Sequence, residues 1–466
     1  MQLLIKNGCI LTSSGEFTGD ILVEGEKIAA IGSNLQITAD RVIDASGMYV
    51  LPGGVDQHTH YAGLNTDGVT LSAGYETSYG ALIGGTTTLV EFAANEPGMG
   101  IIESLDYRKN VRAKGKVSPD FAMHALCTNI RPDLCDEIEK LPEYGVSTLK
   151  LFMAYKPTAL YTDDGVLFKA MRAAAKVGVT MYVHAENADL LNLLRDEEFE
   201  QGHTEPCYHY QTRPPFVEAE AVQRAIILAK AAKCPLCVVH VTCKEAAEII
   251  REERLRGAPV VGETCTHYLV LDQKRMDDPD FMVASRYVCS PALRTQEHRD
   301  YLWRALAKGD LDIVASDHSG IPLTQKIWGK DDFRKIPNGC PGTGDRLQML
   351  WTYGVETGKI TRQRLVEIFS EIPAKMNGIF PRKGILQVGS DADIVLYDPR
   401  YRGICTLETN PSGVEYNLFE GMEQIGRVET VLLRGNVVVE NNKYVGVPGY
   451  GQFIPGKAYG MAYDLL

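Results

Sequence analysis

Long apolar runs and an excess of basic residues are both missing from this sequence. The longest apolar stretches, such as residues 148–154 and 236–241, are only as long as a β-strand, so none predicts a membrane-spanning helix. Acidic residues outnumber basic ones by 60 to 48, and the resulting net charge of -12 argues against a nucleic-acid surface. Residues 1–8 become polar too soon for a signal peptide. We therefore expect a cytoplasmic protein whose partners include neither nucleic acid nor membrane.

The regular cysteine spacing of a small disulfide-bonded protein is also missing. Eleven cysteines, an odd number, are scattered over 466 residues, which is typical of reduced thiols in the cytosol. Cys234 and Cys237 match the C-x-x-C pattern of redox sites. They lead into an apolar run, however, so a buried strand is favoured over a reactive helix start.

A chain of this length predicts one large domain and a smaller one. Short β-type runs with tight turns occur near both ends, and we predict that residues 1–50 and 376–466 form a small β-sandwich domain with a C-terminal extension. Between them, in residues 51–375, eight strand-sized apolar runs alternate with helix-like segments. These runs lie near 50–58, 86–92, 120–127, 148–153, 179–184, 236–241, 259–264 and 311–316. This alternation predicts an α/β fold, a TIM-like (β/α)8 barrel.

One short motif in the first of these runs has the spacing of metal ligands. His58 and His60 are separated by one residue, so on an extended strand both side chains lie on the same face. Two imidazoles at a strand end can chelate a divalent metal. On its own the motif is also compatible with two histidines at a polar strand end.

Further ligand-type residues follow other predicted strands. His184, His240 and Asp317 each end a different apolar run. Because the carboxyl ends of barrel strands meet at one mouth, we expect these side chains to converge on His58 and His60. The set predicts a metal centre at that mouth.

Lys150 lies within an apolar strand, where an unpaired ammonium group would be costly to bury. The lysine could be neutral or paired with a carboxylate. Alternatively, reaction with CO2 would convert it into a carbamate, an anionic group able to bridge two metals. The residue pattern alone leaves both possibilities open.

Taken together, these residues resemble the binuclear site of the hydantoinase and dihydropyrimidinase branch of the amidohydrolase superfamily. The likeness covers essentially the whole chain. It includes the segments Lys150-Leu-Phe-Met-Ala-Tyr155-Lys156, His184-Ala-Glu-Asn187, Thr212-Arg-Pro-Pro215, Ser290-Pro291 and Ile336-Pro-Asn-Gly339. The resemblance implies hydrolysis of the cyclic amide bond of hydantoins or dihydropyrimidines, with ring opening to N-carbamoyl amino acids. It further implies a homo-oligomer, a tetramer, acting on a small cyclic amide.

The resemblance also implies a role for each site residue. Two divalent metal ions, zinc in such families, would be held by His58, His60, His184, His240 and Asp317, with carboxylated Lys150 as a bridge. A bridging hydroxide would attack the ring carbonyl while Asp317 carries the proton to the leaving nitrogen. Tyr155 would stabilise the oxyanion. Ser290 and Asn338 would hold the amide or imide edge of the ring through their backbones.

The sequence departs from the usual family pattern near the expected substrate. The 62–72 segment is polar where a bulky apolar gate is common, and Thr266-His267 stands in place of a Pro-Gln pair. We therefore expect the 62–72 segment to select the ring substituent, with His267 as the next candidate.

Other functions remain possible within and beyond this branch. An allantoinase or a dihydroorotase would be a related cyclic amidohydrolase, although dihydroorotases commonly carry an arginine where this chain has Ala62. A deaminase on the same barrel would show one metal and no strand lysine. A non-catalytic hydantoinase-like assembly protein would have lost metal ligands, whereas this sequence retains every ligand type.

Overall fold

The computed structural model describes residues 2–61, 68–70 and 74–458, whose strands form two separate sheets. In this part of the chain no helix is both long enough and apolar enough to cross a membrane. All eleven cysteines are free thiols.

The first sheet is built from both ends of the chain. Its nine strands are β1 (Gln2–Thr12), β2 (Gly15–Glu24), β3 (Lys27–Gly32), β4 (Arg41–Asp44), β5 (Tyr49–Pro52), β14 (Ile394–Ile404), β15 (Glu423–Leu433), β16 (Asn436–Glu440) and β17 (Lys443–Tyr444). The two halves meet where β5 pairs antiparallel with β14, in the register Val50 to Leu396. The prediction of one small β domain from both termini is therefore confirmed.

The second sheet is a nearly closed parallel barrel. Its eight strands follow one another in chain order: β6 (Gly54–Thr59), β7 (Thr86–Ala94), β8 (Asp120–Leu126), β9 (Thr148–Phe152), β10 (Thr180–His184), β11 (Leu236–Val238), β12 (Val260–Cys265) and β13 (Ile313–Ala315). A parallel bridge between Thr59 and His318 brings the first and last strands together. Both faces of these strands are covered, which explains why they read as continuous apolar runs.

Helices connect the barrel strands and cover their outer side. The α-helices are α1 (Tyr79–Ile83), α2 (Ile101–Tyr107), α3 (Leu134–Lys140), α4 (Asp164–Val177), α5 (Ala188–Glu200), α6 (Cys207–Gln211), α7 (Pro215–Ala232), α8 (Lys244–Leu255), α9 (Thr266–Val270), α10 (Phe281–Ala284), α11 (Gln296–Lys308), α12 (Leu323–Lys326), α13 (Arg346–Leu350), α14 (Arg362–Val366) and α15 (Ile372–Met376). Local sequence sets the ends of α4. The Asp163 side chain accepts a hydrogen bond from the Val166 amide, and Gly178 ends the helix with a φ of 70°.

The predicted strands match the observed ones to within a few residues. The observed strand β11 is shorter than the run predicted at 236–241, since it ends at Val238. His240 lies beyond the strand, with a φ of 43°. This left-handed residue turns the chain at the barrel mouth. Along the chain, the first sheet ends at Pro52 and the barrel begins at Gly54; the last barrel strand ends at Ala315 and the first sheet resumes at Ile394. The domain limits 1–50, 51–375 and 376–466 stay a prediction.

Candidate metal centre and active site

Three predicted ligands meet at the mouth of the barrel. One ligand atom each from His58, His60 and Asp317 lies within 4.8 Å of the others. Asp317 Oδ1 is 3.1 Å from His58 Nε2 and 3.4 Å from His60 Nε2. His58 is on β6, His60 directly follows it, and Asp317 follows β13 in the left-handed conformation, with a φ of 48°. Closure of the barrel therefore joins residues that are more than 250 positions apart in sequence.

A second pair of histidines lies beside this cluster. The rings of His184 and His240 are 4.5 Å apart between centroids, and His240 is 5.5 Å from the ring of His58. His184 uses its Nε2 to contact Glu186 at 2.7 Å, which leaves Nδ1 for another partner. His240 Nδ1 is buried and has no hydrogen-bond partner among the described residues. A buried imidazole nitrogen without a partner is the form in which histidine ligates a metal.

Lys150 lies beside His58, and its charge also acts on His184 and His240. The residue is only 1% exposed, and its Nζ is 2.9 Å from His58 Nε2 and 4.2 Å from the ring centre of Phe92. Burial lowers the pKa of Lys150 to about 8, against the opposing effect of Asp317 and Glu263. A pKa of about 8 leaves roughly a tenth of the amine neutral at pH 7, far more than in an ordinary exposed lysine.

Burial also favours the neutral form of the candidate histidine ligands. It lowers the pKa of His60 to about 4 and that of His240 well below its ordinary value. Asp317 behaves in the opposite way: burial raises its pKa, but the neighbouring charge and hydrogen bond of His58 more than compensate, so that its pKa lies well below the ordinary value. Near neutral pH the site consequently presents the neutral imidazoles of His60 and His240 and the carboxylate of Asp317, as metal binding requires. Burial and Lys150 lower the pKa of His58, but Asp317 and Glu263 more than compensate, so its pKa is raised.

Glu263, a residue that the sequence analysis missed, supports two of the histidines from behind. Its Oε1 is 2.6 Å from His58 Nδ1 and accepts from the His240 amide at 3.2 Å, while Oε2 accepts from Gln57 Nε2 at 2.6 Å. The carboxylate fixes the tautomer of His58, so that Nε2 is directed into the site. The only signal in the sequence was an acidic residue within the apolar strand β12.

Glu186 and Arg213 support His184 in the same way. Arg213 Nη1 donates to both carboxylate oxygens of Glu186, at 2.8 and 2.9 Å, and Glu186 Oε2 faces His184. Burial alone would raise the pKa of Glu186, but the charge of Arg213 and the hydrogen bond with His184 hold it well below its usual range. Both residues belong to segments noted in the sequence, although their pairing was not predicted.

The donor set fits divalent metal ions. It combines imidazoles, one carboxylate and a lysine that can become anionic, and each of His58 and His184 has a carboxylate behind it. Imidazole and carboxylate ligands with such supporting hydrogen bonds are typical of zinc sites. More donors are present than one tetrahedral ion requires.

Tyr155 lies at the edge of this centre. It follows β9 in the left-handed conformation, with a φ of 67°, and its ring centroid is 5.1 Å from that of His184. Burial raises the pKa of Tyr155 well above its ordinary value, Glu186 adds to the rise, and the Ser290 hydroxyl acts in the opposite direction. The phenol therefore keeps its proton and is available as a hydrogen-bond donor.

Ser290 and Asn338 each carry a buried polar atom that makes no close hydrogen bond to the described residues, although the Ser290 hydroxyl lies near enough to Tyr155 to lower the pKa of its phenol. These atoms are Ser290 Oγ and Asn338 Oδ1. The two segments are in direct contact, since the Gly339 amide donates to the Val288 carbonyl at 3.0 Å. Unpaired polar groups at a barrel mouth are expected where a ligand supplies the missing hydrogen bonds.

The predicted selectivity segment, residues 62–72, lies largely outside the described residues. Within it, the described Thr70 exchanges two hydrogen bonds with the Gln325 side chain, at 2.8 and 2.9 Å. His267 is buried on α9, and its Nε2 has no hydrogen-bond partner within the described part of the chain.

Comparison with known proteins finds relatives over nearly the whole chain. The sequence profile of the amidohydrolase family matches residues 49–438. The chain is 42% identical to a D-hydantoinase of Geobacillus stearothermophilus over 463 residues, covering 99% of this chain and 98% of that protein. It is 36% identical to dihydropyrimidinase 1 of Caenorhabditis elegans over 458 residues, covering 97% and 94% of the two chains. Its fold superposes on the crystal structure of a dihydropyrimidinase from Brevibacillus agri with a TM-score of 0.95 and 41% identity, over 98% of this chain and 99% of that one.

Proposed function

Because this chain belongs to the amidohydrolase family, and within it to the branch of hydantoinases and dihydropyrimidinases, we propose that it is a cyclic amidohydrolase. It hydrolyses the cyclic amide bond of hydantoins or dihydropyrimidines and so opens the ring to an N-carbamoyl amino acid. The observation that carries this proposal is the convergence of His58, His60 and Asp317 within 4.8 Å at the barrel mouth.

The ligand atoms fall into two groups, which support a binuclear centre. His58, His60 and Asp317 would hold the more buried ion, and His184 with His240 the more exposed one. When bound, divalent ions, zinc in this proposal, would supply Lewis-acid polarisation of the scissile carbonyl and would lower the pKa of water towards neutral pH. Glu263 and Glu186 keep the coordinating nitrogens directed into the site.

Lys150 would join the two groups after reaction with CO2. Its neutral amine attacks the carbon of CO2, a C–N bond forms, one proton is released, and a carbamate anion results. The low pKa of Lys150 supports this step, because only the unprotonated amine is nucleophilic. Conversion also replaces a buried cation by an anion among metal ligands, which removes the cost of an unpaired ammonium group.

Asp317 would transfer the proton, and Tyr155 would stabilise the developing negative charge. Asp317 is ionised near neutral pH, so it can accept a proton from the attacking water and then return it to the leaving nitrogen. Tyr155 keeps its hydroxyl proton and donates it in a hydrogen bond to the oxyanion.

Recognition of the ring would be divided between backbone and loop. Main-chain groups at Ser290 and Asn338 would bind the amide or imide edge that all substrates share. The 62–72 segment would select the substituent, since loops at a barrel mouth tolerate variation. We further propose that the enzyme is a cytoplasmic homotetramer.

Turnover of a small substrate panel tests this function. Purified protein should open dihydrouracil, hydantoin and 5-substituted hydantoins and should contain close to two divalent metal ions per chain. Turnover of allantoin alone would reassign the substrate within the family. Lack of turnover together with lack of bound metal would favour a non-catalytic assembly protein.

A further inference from the structure

A fully buried lysine lies behind the proposed ring-binding segments. Lys326, the last residue of α12, is 0% exposed. Its Nζ donates to three main-chain carbonyl oxygens: those of Val288 at 2.9 Å, Pro337 at 2.8 Å and Gly339 at 2.9 Å. An ammonium group has three N–H donors, and all three are satisfied here. Burying this cation is costly without such bonds, and an apolar side chain would fill the same space without that cost.

The three carbonyls belong to the two segments that carry Ser290 and Asn338. Val288 comes two residues before Ser290, and Pro337 and Gly339 lie on either side of Asn338. One ammonium group therefore ties both segments together. A neutral side chain of similar length would leave three buried carbonyls without this partner.

The bond to Pro337 has a direct consequence for Asn338. The peptide between the two residues is trans, since the cis bonds of the structure lie elsewhere. In a planar trans peptide the C=O and the following N–H point in opposite directions. By holding the Pro337 carbonyl, Lys326 directs the Asn338 N–H away from itself.

We propose that Lys326 is a positioning residue for ring recognition, which fixes the main-chain groups around Ser290 and Asn338 without touching the substrate. This inference rests on the proposed function. Because the ring edge is bound alike before and during the reaction, disturbing its partners should weaken substrate binding more than the chemical step.

The test compares steady-state kinetics of Lys326→Met and Lys326→Gln with those of wild type. Lys335→Met is the matched control, since Lys335 lies in the same segment but its side chain is 70% exposed. Hydantoin and one 5-substituted hydantoin serve as substrates, with metal content and thermal unfolding measured in parallel. We expect KM for Lys326→Met to rise about tenfold or more, by the same factor for both substrates, with a much smaller change in kcat. Lys326→Gln, which keeps two N–H donors, should show a smaller rise, and the control should match wild type.

Several results would overturn the inference. An unchanged KM in a folded Lys326 variant would do so, as would a loss confined to kcat and accompanied by loss of metal. Failure of both variants to fold would identify Lys326 as a general folding element instead. Wild-type protein that opens neither substrate would refute the proposed function itself and this inference with it.

Discussion

Replacing Glu263 with glutamine should loosen the metal centre without changing any proposed ligand. The carboxylate accepts from His58 Nδ1, from the His240 amide and from Gln57 Nε2. An amide in its place has only one acceptor oxygen. If that oxygen keeps the two histidine contacts, the new NH2 group faces the NH2 group of Gln57. Rotating the Gln57 amide offers no relief, because its oxygen already accepts from Tyr182 and Asn377 at 3.2 Å each.

The expected magnitude follows from these contacts. The variant loses a charge-assisted hydrogen bond to His58 and gains a buried donor without an acceptor. Together these changes cost roughly 2–4 kcal/mol of stability. Metal affinity should fall by about 10- to 100-fold, the usual effect of removing a carboxylate behind a histidine ligand.

Competition with a chelator measures the metal affinity, and thermal unfolding of the metal-free protein measures the stability. Glu220→Gln is the matched control, because Glu220 is 43% exposed and pairs with Arg224 at the surface. Affinity and stability equal to those of wild type in Glu263→Gln would refute the role assigned to this carboxylate.

Three further predictions concern the proposed site. Lys150→Ala should lose metal and activity, and short carboxylic acids should restore part of both, as measured by metal analysis and turnover. The control variant Lys156→Ala changes an exposed lysine and should lose neither. An active, metal-loaded enzyme with unmodified Lys150 would contradict the carbamate. Asp317→Asn should lower kcat by orders of magnitude, while circular dichroism should show that the fold is retained. Near-normal turnover would exclude the proton shuttle. Tyr155→Phe should reduce kcat alike on every substrate, whereas exchange of residues 62–72 should reorder the substrates; an unchanged ranking after the exchange would place selectivity elsewhere.

Much of the fold could be predicted because its signals are local. Barrel strands such as β9 and β10 are buried on both faces, and each is a short apolar run bounded by turns or helices. The small sheet was recognisable from matching β-type runs at both termini. Strand ends were less certain: the backbone turns into a left-handed conformation at His240, and the sequence shows no glycine there to mark it.

The sequence by itself also determined which residues could act as ligands. Parallel strands place their carboxyl ends together, so histidines and an aspartate at those ends had to meet once the barrel was predicted. Likewise, an isolated lysine in the apolar strand β9 drew attention because burial of a cation is costly. Both inferences depend on residue type and on position within one element, which the sequence contains.

Only the tertiary structure decided which residues support the ligands and the ring-binding segments. Glu263 contacts His58 across 205 positions, and Lys326 joins carbonyls that belong to two separate segments. Glu263 is marked in the sequence only as an acidic residue within an apolar strand, and Lys326 has no local pattern that distinguishes it from an ordinary basic side chain. Their roles arise from hydrogen bonds to groups brought near by barrel closure, and several of those groups are main-chain atoms common to every residue. The order of side chains along the sequence therefore cannot predict these two roles.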